Sequence, residues 1–185
     1  MGKQVVKLEF AIHEVVVLSG FTKHMLDYLA REDIFAPTAQ QSVVRGRRRR
    51  YTYEDVVLLR ALRTICHGKG KIRNLKAALV ALRQEVGSMQ YGQRIDKLLF
   101  VEGDELCLRT GTDGGRQLRT GQMTFGFFID LRALSADLAD VVSVDGKTGK
   151  PVLEPRLASQ AEAERQRIWQ PIKKRRDDLS IARAA

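Results

Sequence analysis

The sequence predicts an α+β protein with a mainly helical N-terminal region at residues 1–88, a small α/β module at 94–144 and a basic tail at 145–185. Three observations support this division. Apolar residues recur at helical spacing through the first region. Two apolar runs in the module flank Gly103-Asp104, which suits a tight turn between strands. Gly, Pro and charged residues are scattered through the tail. A chain of 185 residues with 44% hydrophobic content can bury one ordinary core or two small ones.

Two short helices joined by a glycine turn are predicted near the start. Alternating apolar residues at 4–10 indicate a short strand or an ordered arm. The spacing becomes helical from Ile12, and Gly20 is expected to stop that helix. Thr22 is a good N-cap for a second helix at 22–31, because its hydroxyl can accept a hydrogen bond from a backbone N–H of the first turn. Two short helices around a small turn are the signature of a helix-turn-helix.

An arginine-rich segment follows this pair of helices. We interpret residues 43–51, VVRGRRRRY, as a small hairpin, or wing, with Gly46 at or near its turn. Thr52 is predicted to cap a third helix, and Asp55 three positions later forms a capping-box-like pair with it. A fourth helix, ending at Gly87, is expected to carry the apolar stripe Ile72, Leu75, Leu79 and Leu82.

The second half of the chain has a mixed pattern. Residues 95–101 and 106–109 are strand-like, and the apolar, aromatic run Met123–Leu131 is expected to be a central strand. Leucines spaced through Leu131–Val142 predict a helix. A further helix is expected near 158–170, where Pro171 would end or kink it, and the remaining residues are a candidate for disorder.

Composition restricts the function classes. The net charge of +10 and the pI of about 9.9 predict attraction to a polyanion, either nucleic acid or an acidic membrane surface, although an uncommitted basic protein has the same charge. The two distant cysteines favour a reducing compartment. We find no signal peptide or membrane-spanning stretch and expect a cytoplasmic, nucleoid-associated protein without a membrane role.

Catalytic and metal-binding motifs are not found in the sequence. The three histidines have no metal-ligand spacing to a cysteine, so no zinc site is expected. There is no P-loop and no dinucleotide-binding fingerprint. The sequence therefore predicts no enzyme activity and no cofactor.

Three groups of side chains are candidates for contact with double-stranded DNA. An extended wing would send about half of its arginines towards the duplex, and the alternative is a solvated charge run. The outer face of helix 22–31 is suited to the major groove, although most such faces are only polar surface. A third group near the fourth helix suits backbone contact or a solvated loop. The candidates are Arg45, Arg47, Arg48, Arg49 and Arg50 in the wing, Thr22, Lys23, His24, Tyr28 and Arg31 on the helix, and Lys69, Lys71 and Arg73.

Two features of these groups have competing interpretations. Asp27 lies among the cations of helix 22–31 and would repel phosphates, but it could accept a hydrogen bond from cytosine or orient a neighbouring arginine. The tail cluster Lys173, Lys174, Arg175 and Arg176 is either a flexible phosphate-seeking arm or an aid to solubility.

The residues at about 10–85 resemble the mercury-resistance-regulator (MerR) type of winged helix-turn-helix. The matching stretches are FAIHEVVVLSGFTKHMLDYLARED, RRRYTYEDVVLLRALRTI and IRNLKAAL, with Leu26, Tyr28, Pro37, Arg49, Tyr51 and Asp55 at corresponding places. The resemblance implies a homodimer that places helix 22–31 of each subunit in a major groove and the wings on flanking DNA. It also implies backbone contacts from Tyr28, Arg49 and Tyr51.

The chain also departs from the family pattern. Asp27 stands where an arginine is usual, and Leu29 stands where a second aromatic residue is usual. The long dimerisation helix with a cysteine-bearing metal loop is missing after the head, so metal or oxidative sensing is not expected.

Three functions follow from these observations. The first is a sequence-specific transcription regulator, with residues 94–144 serving dimerisation or a protein partner. The second is an architectural or excisionase-like accessory factor. The third is an antitoxin-type interaction protein whose head binds DNA.

Overall fold

A computed structural model describes residues 8–39, 49–67, 79, 83, 97–102, 105–110 and 126–184. In these ranges the helices are α1 (Ile12–Ser19), α2 (Lys23–Arg31), α3 (Tyr53–His67), α4 (Leu131–Val141) and α5 (Pro155–Ala184). The strands are β1 (Glu9–Ala11), β2 (Arg50–Thr52), β3 (Lys97–Glu102), β4 (Glu105–Thr110), β5 (Gly126–Asp130), β6 (Val142–Val144) and β7 (Pro151–Leu153).

The two helices of the predicted helix-turn-helix begin and end as their local sequence requires. Gly20 ends α1 with φ +73°, a left-handed conformation that glycine adopts at little steric cost, and its N–H donates to the carbonyl of Val16. The hydroxyl of Thr22 accepts a hydrogen bond from the N–H of Met25 at 3.2 Å at the start of α2. The predicted stop and cap are confirmed.

A two-stranded antiparallel sheet fixes the base of the arginine-rich segment. β2 pairs with β1, so that Phe10 lies opposite Tyr51 and Ala11 lies opposite Arg50. A strand is present at Glu9–Ala11, at the end of the segment 4–10 that was expected to be a strand or an ordered arm, and residues 4–7 lie outside the described part of the chain. Its partner β2 begins with Arg50, the last arginine of the run. The expected hairpin around Gly46 lies outside the described residues.

Helix α3 is the centre of the core. Its N-terminal pair is reciprocal, because the Thr52 hydroxyl accepts from the N–H of Asp55 at 3.2 Å and an Asp55 carboxylate oxygen accepts from the N–H of Thr52 at 3.0 Å. The capping box is confirmed. Consecutive α3 residues, 56–59, are all at most 1% exposed, so the helix is covered on more than one face. It packs against α1 and β2, and also against α4.

The module contains a three-stranded antiparallel sheet in the order β4-β3-β5. β3 and β4 lie where two strands were predicted. Met123–Leu131 was expected to be a central strand, but among the described strands β5 pairs with β3 alone and lies at the edge, with β3 in the middle. Apolar content does not distinguish these positions when one sheet face packs on helices. Helix α4 follows directly, as predicted, and the Asp130 carboxylate caps it by accepting from two backbone N–H groups.

The tail differs most from its prediction. Residues 142–153 form the β6–β7 pair, and α5 begins at Pro155 and continues through Pro171 to Ala184. The helix does not end at Pro171, one of the two outcomes expected there, and the residues that follow are helical to Ala184 instead of disordered. Proline removes one backbone donor from a helix, but the many good helix formers on both sides sustain this one.

One hydrophobic cluster joins these parts. Buried residues of α1 and α3 belong to the same cluster as Leu99, Ile129, Leu138 and Ala161 from later in the chain. Leu79 is helical and buried in it, while the other residues of the predicted apolar stripe lie outside the described ranges. The proposed domain boundaries stay a prediction. None of the helices in the described part is both long and apolar enough to span a bilayer.

Candidate nucleic-acid interface

Helix α2 buries one side and exposes the other. Leu26 and Leu29 are buried and fix the rotation of the helix on the core. The opposite side presents the five residues predicted to read DNA from this helix. Thr22, His24 and Arg31 are exposed, whereas Lys23 and Tyr28 are half-buried. The guanidinium of Arg31 lies 5.9 Å from the centre of the Tyr28 ring, within cation–π distance.

An ion triad links α2 to the arginine-rich segment. The Arg49 guanidinium donates to one oxygen of Asp27 at 2.8 Å, and the Lys23 ammonium donates to the other oxygen at 2.5 Å. Asp27 therefore orients a neighbouring arginine, one of the roles expected for it. Two cations share this carboxylate, so the triad keeps one net positive charge next to the exposed face of α2.

The two described arginines of the segment lie on different sides. Arg49 contacts α2, whereas Arg50 lines a cavity of about 390 Å³ together with Glu9, Glu14 and Lys150. Successive side chains of an extended chain alternate in direction, which accounts for the separation. Arg45, Arg47 and Arg48 lie outside the described residues, as do Lys69, Lys71 and Arg73.

Tyr51 requires a correction. The resemblance implied a DNA-backbone contact, but Tyr51 is 1% exposed and belongs to the core, opposite Phe10. Burial raises the pKa of its phenol, and the charge of Arg49 and a hydrogen bond from it act in the opposite direction. The buried Tyr51 therefore helps to position Arg49 through this hydrogen bond, and its own ring is not available to a ligand.

A buried carboxylate fixes the surroundings of this triad. Asp55 is 0% exposed, and it accepts hydrogen bonds from Thr38, Thr52 and Arg83. The Arg83 guanidinium lies 3.9 Å from the centre of the Phe35 ring, and burial lowers its pKa while Asp55 raises it. The network ties the chain after α2 to the end of β2. Neither Thr38 nor Arg83 was among the residues predicted from the sequence. The signal in the sequence that points to this network is Asp55, an acidic residue in the first turn of a predicted helix.

A groove separates α2 from α5. It has a volume of about 550 Å³, and residues at the turn before α2 face Glu164, Arg167 and Ile168 of α5 across it. The packing of α5 against α1 produces this arrangement. This groove is not predictable from the sequence, because no local pattern relates residues more than 140 positions apart. Among the described residues, no group of three or more His, Cys, Asp or Glu side chains is placed to hold a metal ion.

Two comparisons with known proteins match part of the chain. Residues 10–79 match the family described as MerR HTH family regulatory protein, which confirms the resemblance of that segment. Uncharacterised HTH-type transcriptional regulators of Mycobacterium bovis and of two strains of Mycobacterium tuberculosis are each 25% identical over 141 residues. The match covers 75% of this chain and 61% of each relative, so the chain spans less than two thirds of their length.

Proposed function

We propose, from the premise that residues 10–79 form a MerR-type helix-turn-helix, that this chain is a sequence-specific, double-stranded-DNA-binding transcription regulator. One observation carries the proposal. The 2.8 Å contact between Arg49 and Asp27 brings the end of the arginine run against the exposed face of α2. A recognition helix and a cationic segment on one side of the protein can meet one duplex together.

The residues of α2 have distinct proposed roles. Lys23 and His24 lie in its first turn and are suited to base edges in the major groove. Tyr28 and Arg31, nearer its end, are suited to the backbone. Arg49 binds phosphate, and the preceding arginines of the wing follow the backbone or enter the minor groove. Lys69, Lys71 and Arg73 are proposed as further backbone contacts.

The proposed assembly is a homodimer acting at the nucleoid in the cytoplasm. Two copies of α2 would enter successive major grooves, with half-sites about 34 Å apart along the duplex. Residues 94–144 are proposed to contribute to dimerisation or to bind a protein partner. An inverted repeat in the preferred DNA would support the two-fold arrangement.

The test begins with selection of bound duplexes from a random pool, followed by titration at several salt concentrations. Arg49→Ala is expected to weaken binding to every sequence and to reduce the magnitude of the slope of log K against log salt by about 0.9. Loss of Arg49 also leaves Asp27 and Lys23 as a neutral pair, so the net positive charge of the triad is lost. Arg50 was also a candidate contact, but its side chain lines the cavity beside Glu9 and Glu14, and for that reason we propose that it does not meet the duplex. Arg50→Ala is therefore the matched control, because it removes the same charge from the other side of the segment.

Substitutions on α2 test base reading separately. Lys23→Ala and His24→Ala are expected to change the preferred sequence more than the general affinity, because base contacts specify and phosphate contacts position. If both kinds of substitution leave binding unchanged, or if the chain selects no sequence from the pool, the proposal is wrong.

A further inference from the structure

We infer that Asp27 determines how well the chain discriminates among DNA sequences, because its carboxylate holds Lys23 and Arg49 in one fixed arrangement. This inference rests on the proposed function, in which Lys23 reads a base edge and Arg49 binds phosphate. Asp27 is a positioning residue here, since it acts through its two cationic partners. Its loss is expected to strengthen binding to random-sequence duplex and to weaken discrimination.

The triad connects two structured parts of the chain. Lys23 and Asp27 lie four positions apart on α2, whose rotation is fixed by its buried leucines. Arg49 directly precedes β2, where Tyr51 is buried opposite Phe10. Arg49 also donates a hydrogen bond to the Tyr51 phenol. The contacts of 2.5 and 2.8 Å to the two oxygens of Asp27 therefore fix the position of Arg49 relative to Lys23.

Both cations keep hydrogen-bond donors for DNA. A lysine ammonium has three donors and a guanidinium has five. Lys23 uses one on Asp27, and Arg49 uses one on Asp27 and another on Tyr51. Their side chains are 40% and 27% exposed, so the remaining donors are accessible to guanine O6 and N7 or to a phosphate. A side chain that is already held in place loses less freedom on binding a duplex that matches its position.

The stability of the fold does not account for the triad. Lys23 is the first residue of α2, where the helix dipole disfavours a cation, and a lysine four positions before an acid is the less favourable order. All three side chains are at least 27% exposed, and ion pairs with such exposure contribute little to the free energy of unfolding. The arrangement is therefore expected to matter more for the ligand than for the fold.

The negative charge of Asp27 has a separate effect on random-sequence duplex. Asp27 lies on the same side of α2 as Lys23 and His24, with which it lines the groove, and it repels phosphates of any sequence. Without it, Lys23 and Arg49 are free to follow phosphates in many positions. Simple repulsion would change the affinities for selected and random duplexes equally, whereas positioning changes their ratio. The ratio of the two affinities therefore separates the two effects.

The test compares Asp27→Asn with Glu32→Gln. Each variant removes one negative charge from α2 or its end and keeps the size of the side chain. Glu32 provides the matched control, because its side chain is 36% exposed, as is that of Asp27, and it pairs at 3.6 Å with Arg31, another proposed DNA contact. Both variants are titrated against the duplex that the wild-type chain selects and against random-sequence duplex at several salt concentrations.

We expect Asp27→Asn to lower the ratio of selected to random affinity by about tenfold, from the freedom that two long side chains regain. Its affinity for random duplex is expected to rise, and the magnitude of the slope of log K against log salt should increase by up to about 0.9 as Lys23 becomes free to bind a phosphate. Glu32→Gln is expected to raise both affinities and to keep their ratio.

Two further measurements test whether Asp27 acts through its partners. In selection from a random pool, Asp27→Asn is expected to relax the preference at the same base position that Lys23→Ala relaxes. In a double-mutant cycle, Asp27→Asn is expected to lower the ratio of affinities less when Arg49 is already alanine, because one of the two positioned side chains is then absent.

Three results would overturn the inference while leaving the proposed function intact. The first is a ratio for Asp27→Asn that equals or exceeds that of Glu32→Gln, which would show that Asp27 acts by charge alone. The second is relaxation only at a base position that Lys23→Ala leaves unchanged, which would show that Asp27 reads a base itself. The third is a cycle with Arg49→Ala that shows no coupling. Absence of sequence-dependent binding by the wild-type chain would contradict the proposed function itself.

Discussion

Replacing Asp55 with alanine is expected to lower the free energy of unfolding by about 3–5 kcal/mol. The carboxylate is fully buried. One of its oxygens accepts from the N–H and the hydroxyl of Thr38 at 2.9 and 3.0 Å and from the N–H of Thr52 at 3.0 Å. The other oxygen accepts from the Arg83 guanidinium at 2.8 Å. The substitution removes all four hydrogen bonds at once.

The magnitude depends mainly on Arg83. Loss of an N-cap interaction alone costs about 1 kcal/mol. The Arg83 side chain is 22% exposed, so alanine at position 55 would leave a largely buried cation without its carboxylate. Breaking a buried ion pair by removing one partner costs about 3–5 kcal/mol, because the remaining charge is uncompensated. This cost is a large part of the roughly 5–15 kcal/mol that stabilises an ordinary domain.

A double-mutant cycle measures this contribution. Urea unfolding is followed by Trp169 fluorescence and far-UV circular dichroism for Asp55→Ala, Arg83→Met and the double variant. We expect the loss caused by Asp55→Ala to be smaller by about 1–3 kcal/mol when Arg83 is already methionine. Asp137→Ala, on the exposed surface of α4, is the control and should change stability by less than about 0.5 kcal/mol. A loss below about 1 kcal/mol for Asp55→Ala, or a cycle without coupling, would refute the reasoning.

Three further predictions concern stability. Gly20→Ala should lower the free energy of urea unfolding by about 1–2 kcal/mol through the φ of +73° alone, since the nearest atom to an added Cβ is 3.8 Å away. Gly146→Ala is the control, and equal losses of stability in the two variants would contradict this account. Tyr53→Phe should cost about 1–2 kcal/mol by removing the 2.7 Å hydrogen bond to the buried Ser135 carbonyl, and unchanged stability would argue against that bond. Burial lowers the pKa of His13, so the folded state favours the neutral imidazole. The contribution of His13 to the free energy of unfolding is therefore fully present above pH 6.5 and is lost as the pH falls towards the lowered pKa. The urea midpoint of the wild type should therefore fall more on acidification than that of His13→Gln, and parallel pH profiles would contradict the assignment.

Local chemistry explains which structural predictions were correct. The stop at Gly20, the cap at Thr22 and the pair formed by Thr52 and Asp55 each involve residues no more than four positions apart. Such interactions depend on the chain around them and little on the rest of the molecule. The candidate face of α2 could be predicted for that reason.

Two of the misassigned features depend on distant contacts. The edge position of β5 is set by pairing with β3, and Tyr51 is buried because β2 pairs with β1. The continuation of α5 past Pro171 was not predicted, because proline disfavours a helix interior while the residues on both sides of it have good helix propensity. Neither the pairing of strands nor the anchoring of a helix on α1 is encoded at short range.

The amino-acid sequence by itself determined the order of the first helices, their caps, the basic character of the chain and the exposed face of α2. Only the tertiary structure decided that Arg49 meets Asp27 across 22 positions, that Arg83 meets Asp55 across 28, and that α5 lies beside the turn before α2. The physical reason is that caps and periodicity are stabilised within one or two turns of the chain. Long-range contacts, in contrast, form only when burial of the shared core offsets the entropy of bringing distant segments together.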